Sequence, residues 1–338
     1  MSETTNQSVD RQGDDTSRKP SRGAGSGALK WMLDNIVWIW LVILVLIFGA
    51  LNSFFLTIPN LQNVLIQASV LGLLGMAVAV SLMVAEIDLS IAANMGFSSV
   101  LGALLSIQSG MPWWLGMFFG VLVATMIGFF NGLCITWLKM VSLIETLAMM
   151  IILQGALLAV TQGNTITSMP DGYLWIGQAQ VLGWPVMPLV FLVVLLAGAF
   201  FLRKTVLGRS LYAVGGNLAA AEAAGIRADR IKILAFTLSG FLSGIAGYLL
   251  ASWQMAITSD QGNSFLLYAI AAPIIGGVSV FGGRGHVVGI LGGVLLLTVI
   301  QVGLAIVAVP SFYVGMIGGL MIFVAVAIDA IRVRMGGR

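Results

Sequence analysis

The sequence predicts an all-α integral membrane protein with about ten transmembrane helices and both termini on the cytoplasmic side. Three observations lead there. Of 338 residues, 59% are hydrophobic and only 9% charged, against about 25% charged in a typical soluble domain. Mean hydropathy is +1.03, so much of the surface must face lipid. Lysine and arginine fall only after every second apolar stretch, the pattern of a chain threading back and forth.

Residues 1–30 differ in kind. Ser, Thr, Gly, Asp and Arg prevail there without an apolar run, which predicts a disordered cytoplasmic tail. A secretory signal is excluded, since the first apolar stretch begins near Ile36, is too long and has no small-residue cleavage site after it. Residues 31–338 then form one transmembrane domain.

Crossing about 30 Å of hydrocarbon takes roughly 20 apolar residues. The candidate spans are 35–56, 62–85, 91–108, 113–137, 142–161, 186–202, 231–253, 265–281, 287–307 and 311–331. Breaks fall at Pro59, Gly110 with Pro112, Pro170, Pro185 and Pro310. With the N terminus inside, every basic residue lands on the cytoplasmic face. Arg11, Arg18, Lys19, Arg22 and Lys30 lie in the tail, and Lys139 follows the fourth span. Arg203, Lys204, Arg209, Arg227, Arg230 and Lys232 bracket the loop after the sixth, Arg284 follows the eighth, and Arg332, Arg334 and Arg338 close the chain. Outer loops carry Asp171 and Asp260 and no basic residue. The basic residues flank spans instead of forming a patch with aromatics, so nucleic acid is not expected as a partner. The partner is membrane lipid.

Cys134 and His286 stand alone of their kind, which excludes a disulfide framework or a metal cluster built within the chain. Many of the 42 glycines lie inside spans. Gly240, Gly244 and Gly247, or Gly289, Gly292 and Gly293, line helix faces where neighbouring helices can approach closely.

The loop 203–231 is long, basic at both ends and holds a short helix. Asn217 is a good N-cap, Leu218 to Ala224 are mostly helix formers, and Gly225 suits a left-handed C-terminal position. About seven residues are too few for a helix to persist unaided, so something must hold it. A solvated connector and a docking element are equally compatible with its composition.

At this point the residues resemble a known family. Ala213-Val214-Gly215-Gly216-Asn217, then Ala220 to Ile226 and Lys232, is similar to the cytoplasmic loop of permeases from bacterial ATP-binding-cassette sugar importers, the ribose, xylose and galactose permeases among them. Glu86-Ile87-Asp88-Leu89-Ser90 resembles that family's Gly-Ile-Asp-Leu-Ser signature. Ala269-Ile270-Ala271-Ala272 through Gly276-Gly277, with Gly282-Gly283-Arg284-Gly285 and Gly289, resembles its glycine-rich late segment. The resemblance covers roughly residues 35–331. Glu86 departs from the family's glycine, and Ile91-Ala92 replaces its common Val-Gly.

The resemblance implies the fold of type II ABC importer permeases and a multi-pass protein of the bacterial plasma (inner) membrane. It implies a permease subunit, not an enzyme, that pairs with a second copy or a paralogue. An ABC ATPase subunit would bind the ATP, and an extracytoplasmic sugar-binding protein would deliver the solute. No cofactor is expected on this chain, which lacks a Walker-type loop. The resemblance casts 203–231 as a coupling loop, with Gly215, Gly216, Asn217, Ala220, Glu222 and Gly225 meeting the ATPase. The expected cargo is a monosaccharide or polyol.

Polar residues in spans tend to mark pathways. Glu86, Asp88, Ser90 and Asn94 at the junction of spans two and three, with Gln67 and Asn131, are the candidates for contact with substrate. For Asp88 a helix-capping role is the favoured reading. Glu145, Gln154 and Gln301 are further polar groups at depth, where neutral amides suit a polyol. The alternatives are an ion-coupled secondary carrier and an ABC permease for branched-chain amino acids.

Overall fold

A computed structural model describes residues 35–310, 313–320 and 323–324, and from Val37 onward the described chain packs as one compact unit. The fold is almost wholly helical. The first five helices are α1 (Ile36–Leu51), α2 (Ile58–Met83), α3 (Ile91–Gln108), α4 (Trp113–Trp137) and α5 (Ser142–Thr161). A short helix α6 (Asp171–Gln178) and a two-residue hairpin, Gln180–Val181 with Trp184–Pro185, precede α7 (Val186–Lys204). Then come α8 (Val206–Gly216), α9 (Leu218–Ala223), α10 (Ala228–Gln254), α11 (Leu266–Ile275) and α12 (Val287–Ile306).

Among the described residues, α2, α3, α4, α5, α7, α10 and α12 are long and apolar enough to cross a membrane. They answer to seven of the ten expected spans. The first expected span is the 16-residue α1. The tenth and the N-terminal tail lie largely or wholly outside the described residues, although 313–320 is helical.

Two expectations need correction. The eighth span does not run to 281, because helix α11 stops at Ile275. Pro273 cannot donate to the preceding turn, and Gly277, Gly282 and Gly283 take positive φ, so the chain continues to His286 without helix. The loop 203–231 holds two helices where one was expected. Thr205 caps the unexpected α8, accepting from the Gly208 N–H at 2.9 Å.

Helix α2 forms the centre of the bundle. Every residue from Ala68 to Val84 is buried, as suits a helix apolar on all sides. Around it, helices meet at glycine. A Cβ on Gly240 of α10 would overlap the Ala124 carbonyl oxygen of α4, and one on Gly128 of α4 would overlap the Phe236 carbonyl oxygen of α10. Gly102 of α3 abuts Gly116 of α4 in the same way, as Gly276 abuts Gly289 of α12. In lipid, where hydrophobic burial gives helices little reason to associate, such close packing is what holds a bundle together. Helix α1 runs parallel to α12, with Val37 and Trp38 against Gly292 and Phe48 against Gly303.

Between α2 and α3 the helix breaks. The Ala85 N–H donates to the Leu82 carbonyl at 2.9 Å and the Glu86 N–H to the Ser81 carbonyl at 3.1 Å. This is a Schellman closure with Ala85, at φ 60, where glycine is usual. Glu86 then accepts from the Lys232 ammonium of α10, with side-chain exposures of only 15% and 21%. That ion pair ties the break to the long helix α10.

Two outcomes follow from this packing. Gly240→Val should lower thermal stability in detergent by at least about 3 kcal/mol, since backbone blocks the new side chain. Gly155→Val, whose added Cβ meets nothing, should change it little; equal loss in both would refute the close-packing account. Glu86→Gln and Lys232→Gln should each cost about 2 kcal/mol by stranding a half-sealed charge, and the double variant should regain most of that. A melting-temperature cycle showing simple additivity would mean the pair is not coupled.

Candidate functional site

Helix α9 is built from local signals. Asn217 is extended, φ −159 and ψ 101, and its Oδ1 accepts from the Ala220 N–H at 3.0 Å. At the other end Gly225 takes φ +83. Its N–H donates to the Glu222 carbonyl at 2.9 Å and the Ile226 N–H to the Ala221 carbonyl at 3.0 Å, a second Schellman closure. Ala224 serves as the C-terminal cap, one residue short of the expected helix end. Only Ala221 is buried; Leu218, Ala219, Ala220, Glu222 and Ala223 are exposed. The result is a thin rod, satisfied at both ends, presenting most of its surface outward.

The rod is seated through α8. Gly215 lies so close to the end of α2 that a Cβ there would overlap the Met83 carbonyl oxygen. That same oxygen accepts from the Gly283 N–H at 3.1 Å, and Gly283 packs on Gly216. Three backbones, the ends of α2 and α8 and the 276–286 segment, therefore meet with no side chain between them. Gly282 and Gly283 turn left-handed there at φ +84 and +70, conformations open chiefly to glycine. The Tyr212 hydroxyl of α8 donates to the Gly285 carbonyl at 2.8 Å. Burial pushes this phenol above its usual range. The rod's seat is therefore made of main chain, with no side-chain rotation to loosen it.

The residues expected to line the pathway divide. Asp88, Ser90 and Asn131 come together in one buried knot. The Asp88 carboxylate accepts from the Ser90 N–H at 3.0 Å, the Ser90 hydroxyl at 2.7 Å and the Ser239 hydroxyl of α10 at 2.7 Å. Asn131 lies 2.9 Å from the Ser90 hydroxyl, with its amide also within 3.2 Å of Glu145 and 3.1 Å of the Ile127 carbonyl. Thr146 completes the seal, accepting from the Leu89 N–H at 3.1 Å while its hydroxyl donates to the Ser142 carbonyl at 2.7 Å and lies 3.2 Å from the Ile87 carbonyl. Non-helical backbone at membrane depth needs such internal partners.

Asn94 stands apart, donating to the Ala124 carbonyl at 3.0 Å. Gln67 bonds Asn63 one turn earlier on α2 at 3.2 Å, and Glu86 is held by Lys232. Sequence reasoning missed α8, Tyr212 and Ser239. For α8 a signal existed in the capping spacing Thr205 to Gly208 and in Leu211 and Val214 three apart, both buried. For Ser239 there was none, since it lies 151 residues from Asp88.

Comparison with known proteins agrees with this architecture. The family model described as branched-chain amino acid transport system / permease component matches residues 60–325. The ribose import permease protein of Bacillus subtilis is 38% identical over 291 residues, covering 86% of this chain and 90% of that protein. The D-allose transport system permease protein of Escherichia coli is 34% identical, covering 86% and 89%. The autoinducer 2 import system permease protein of Photorhabdus laumondii is 31% identical, covering 89% and 91%. No solved structure matches. The chain belongs to this permease family: it is a multi-pass inner-membrane subunit of an ATP-binding-cassette importer, and ATP hydrolysis falls to a separate subunit.

Proposed function

We propose that this chain forms the pathway by which an ATP-driven importer takes up a monosaccharide or related polyol, received from an extracytoplasmic binding protein. The observation that carries the reading is the α9 rod, capped at both ends, exposed along its length and seated on a backbone junction. Asn217, Ala220, Glu222 and Gly225 belong to the rod and its caps, and Gly215 and Gly216 to its seat. The rod docks in a cleft of the ATPase. Closure of two ATPase subunits around ATP moves the rod, the junction follows, and the spans alternate between outward-open and inward-open states. The nucleotide stays on the partner.

In this reading the chain crosses the membrane ten times with both termini inside. Helices α1 and α11, and the helix that includes 313–320, add three passes to the seven long helices. The charges favour that orientation. Lys139 pairs with Asp229 at 3.4 Å and Lys232 with Glu86 at the α8–α9 end, where Arg284 also lies beside Gly283. A second permease copy or a paralogue completes the pore. Asp88, Ser90 and Asn131 hold the α2–α3 break, and substrate meets them only if that break opens.

Sugar fits better than the branched-chain amino acids of the family description. The ribose and allose permeases match over most of their length, and the polar groups at depth outside the knot, Gln67, Gln154 and Gln301, are neutral amides. An ion-coupled carrier would have no use for an exposed, doubly capped rod.

Glu222→Arg, and separately Ala220→Trp, should abolish ATP-dependent sugar uptake in reconstituted vesicles by at least about tenfold, the effect of losing roughly 1.4 kcal/mol of docking. Both variants should keep the parent melting temperature, since these side chains face outward. Full uptake by both would refute the coupling role.

A further inference from the structure

A cavity of about 640 Å³ opens beside α11 and α12, at the end of the bundle away from the rod. Its place follows from α12. That helix starts at Val287, just past the Gly285 carbonyl that holds Tyr212, and Gln301 lies fourteen residues on, roughly 21 Å along the axis. The polar groups on the wall are Asn263, Ser264, Tyr268 and Gln301, with Phe265 and Leu267 between them. Gln154 of α5 donates to Asn263 Oδ1 at 2.9 Å, extending the polar strip to a third helix. The Tyr268 hydroxyl donates to the Val314 carbonyl at 3.3 Å.

Lipid is a poor occupant for this wall. Amides and hydroxyls are costly to leave in hydrocarbon even where some pair with one another, as Gln154 does with Asn263, and here Asn263 and Ser264 are exposed and Gln154 and Gln301 partly so. The outward faces of α5 and α7 show the contrast: Ile151, Ile152, Val193 and Leu196 are exposed there and wholly apolar. Among the described residues, none lining the cavity carries a formal charge, so they would not neutralise an ammonium, carboxylate or phosphate. What remains matches a neutral polyhydroxylated solute. Amides and hydroxyls both donate and accept, the Phe265 and Tyr268 rings offer apolar faces to a sugar's C–H groups, and the volume lies within the usual range of small-molecule sites.

We propose that this cavity is a water-filled binding site for the neutral sugar in transit, with Gln301, Asn263, Ser264 and Tyr268 as its polar contacts. The assignment rests on the importer reading above and adds the place in the chain where the solute is held.

The test uses the permease with its ATPase and binding protein in vesicles, with D-ribose and D-allose as probes. Ser264→Cys and Gln301→Cys are labelled with a membrane-impermeant methanethiosulfonate, and Val193→Cys and Leu196→Cys serve as lipid-facing controls. The native Cys134 is buried, and its labelling in the parent is subtracted. Thiolate forms only where water reaches, so the two cavity cysteines should react at least about tenfold faster than the controls. Sugar-loaded binding protein should slow them several-fold.

Labelling no faster than the controls would overturn the proposal. Uptake of a sugar with no protection of either cysteine would sink the cavity alone. Absence of both uptake and protection would sink the sugar reading and the cavity with it.

Discussion

The structure turns on the meeting of three backbones at the Met83 carbonyl oxygen. That oxygen ends the central helix α2, accepts from the Gly283 N–H and lies against Gly215 of α8. Any side chain at Gly215 would push these elements apart, and the rod α9 would lose its seat. Because the contact is made by main chain, its stiffness is that of hydrogen-bonded backbone, without rotamers to absorb motion. If α9 docks on an ATPase as proposed, this contact is what lets the rod transmit displacement.

The same logic extends through the bundle. Where α3, α4 and α10 cross, glycine lets carbonyls and Cα atoms touch, so these helices move together or not at all. Helices α5 and α7 differ, with far less of their surface buried inside the chain. They offer broad apolar faces to lipid or to a second copy. The protein thus joins a tightly interlocked interior around α2 and α10 to a more loosely attached periphery.

How much was legible in the sequence depended on the range of the interactions. The rod could be read almost to the residue, because its caps act between Asn217 and Ala220 and between Ala221 and Ile226. Seven spans could be read because apolar length is a local property. Span eight was read too long: hydropathy remains high through 276–281, and only the backbone conformations of Gly277, Gly282 and Gly283 show that no helix forms there. The Glu86–Lys232 pair joins residues 146 apart and the Ser239–Asp88 bond residues 151 apart, and no periodicity announces such partners. Glu86, which departs from the family pattern, has its counter-ion on another helix.

The knot and the junction together decide which part of the molecule can move cheaply. Asp88 is buried with three donors around it, and Glu145 sits close by on α5. Pulling either away from these partners without delivering water would leave a charge or polar group unsatisfied in the interior, which costs far more than sliding the whole assembly. The α2–α3 break is therefore tied to α10, to which Ser239 and Lys232 bind it. In the proposed coupling the rod bears on the non-helical 276–286 segment between α11 and α12 through the backbone contact of Gly215 and Gly216 with Gly282 and Gly283. Those two helices carry Tyr268 and Gln301 at their far ends. In the proposed coupling a push on the rod would travel about 21 Å along α12 to the walls of the polar cavity.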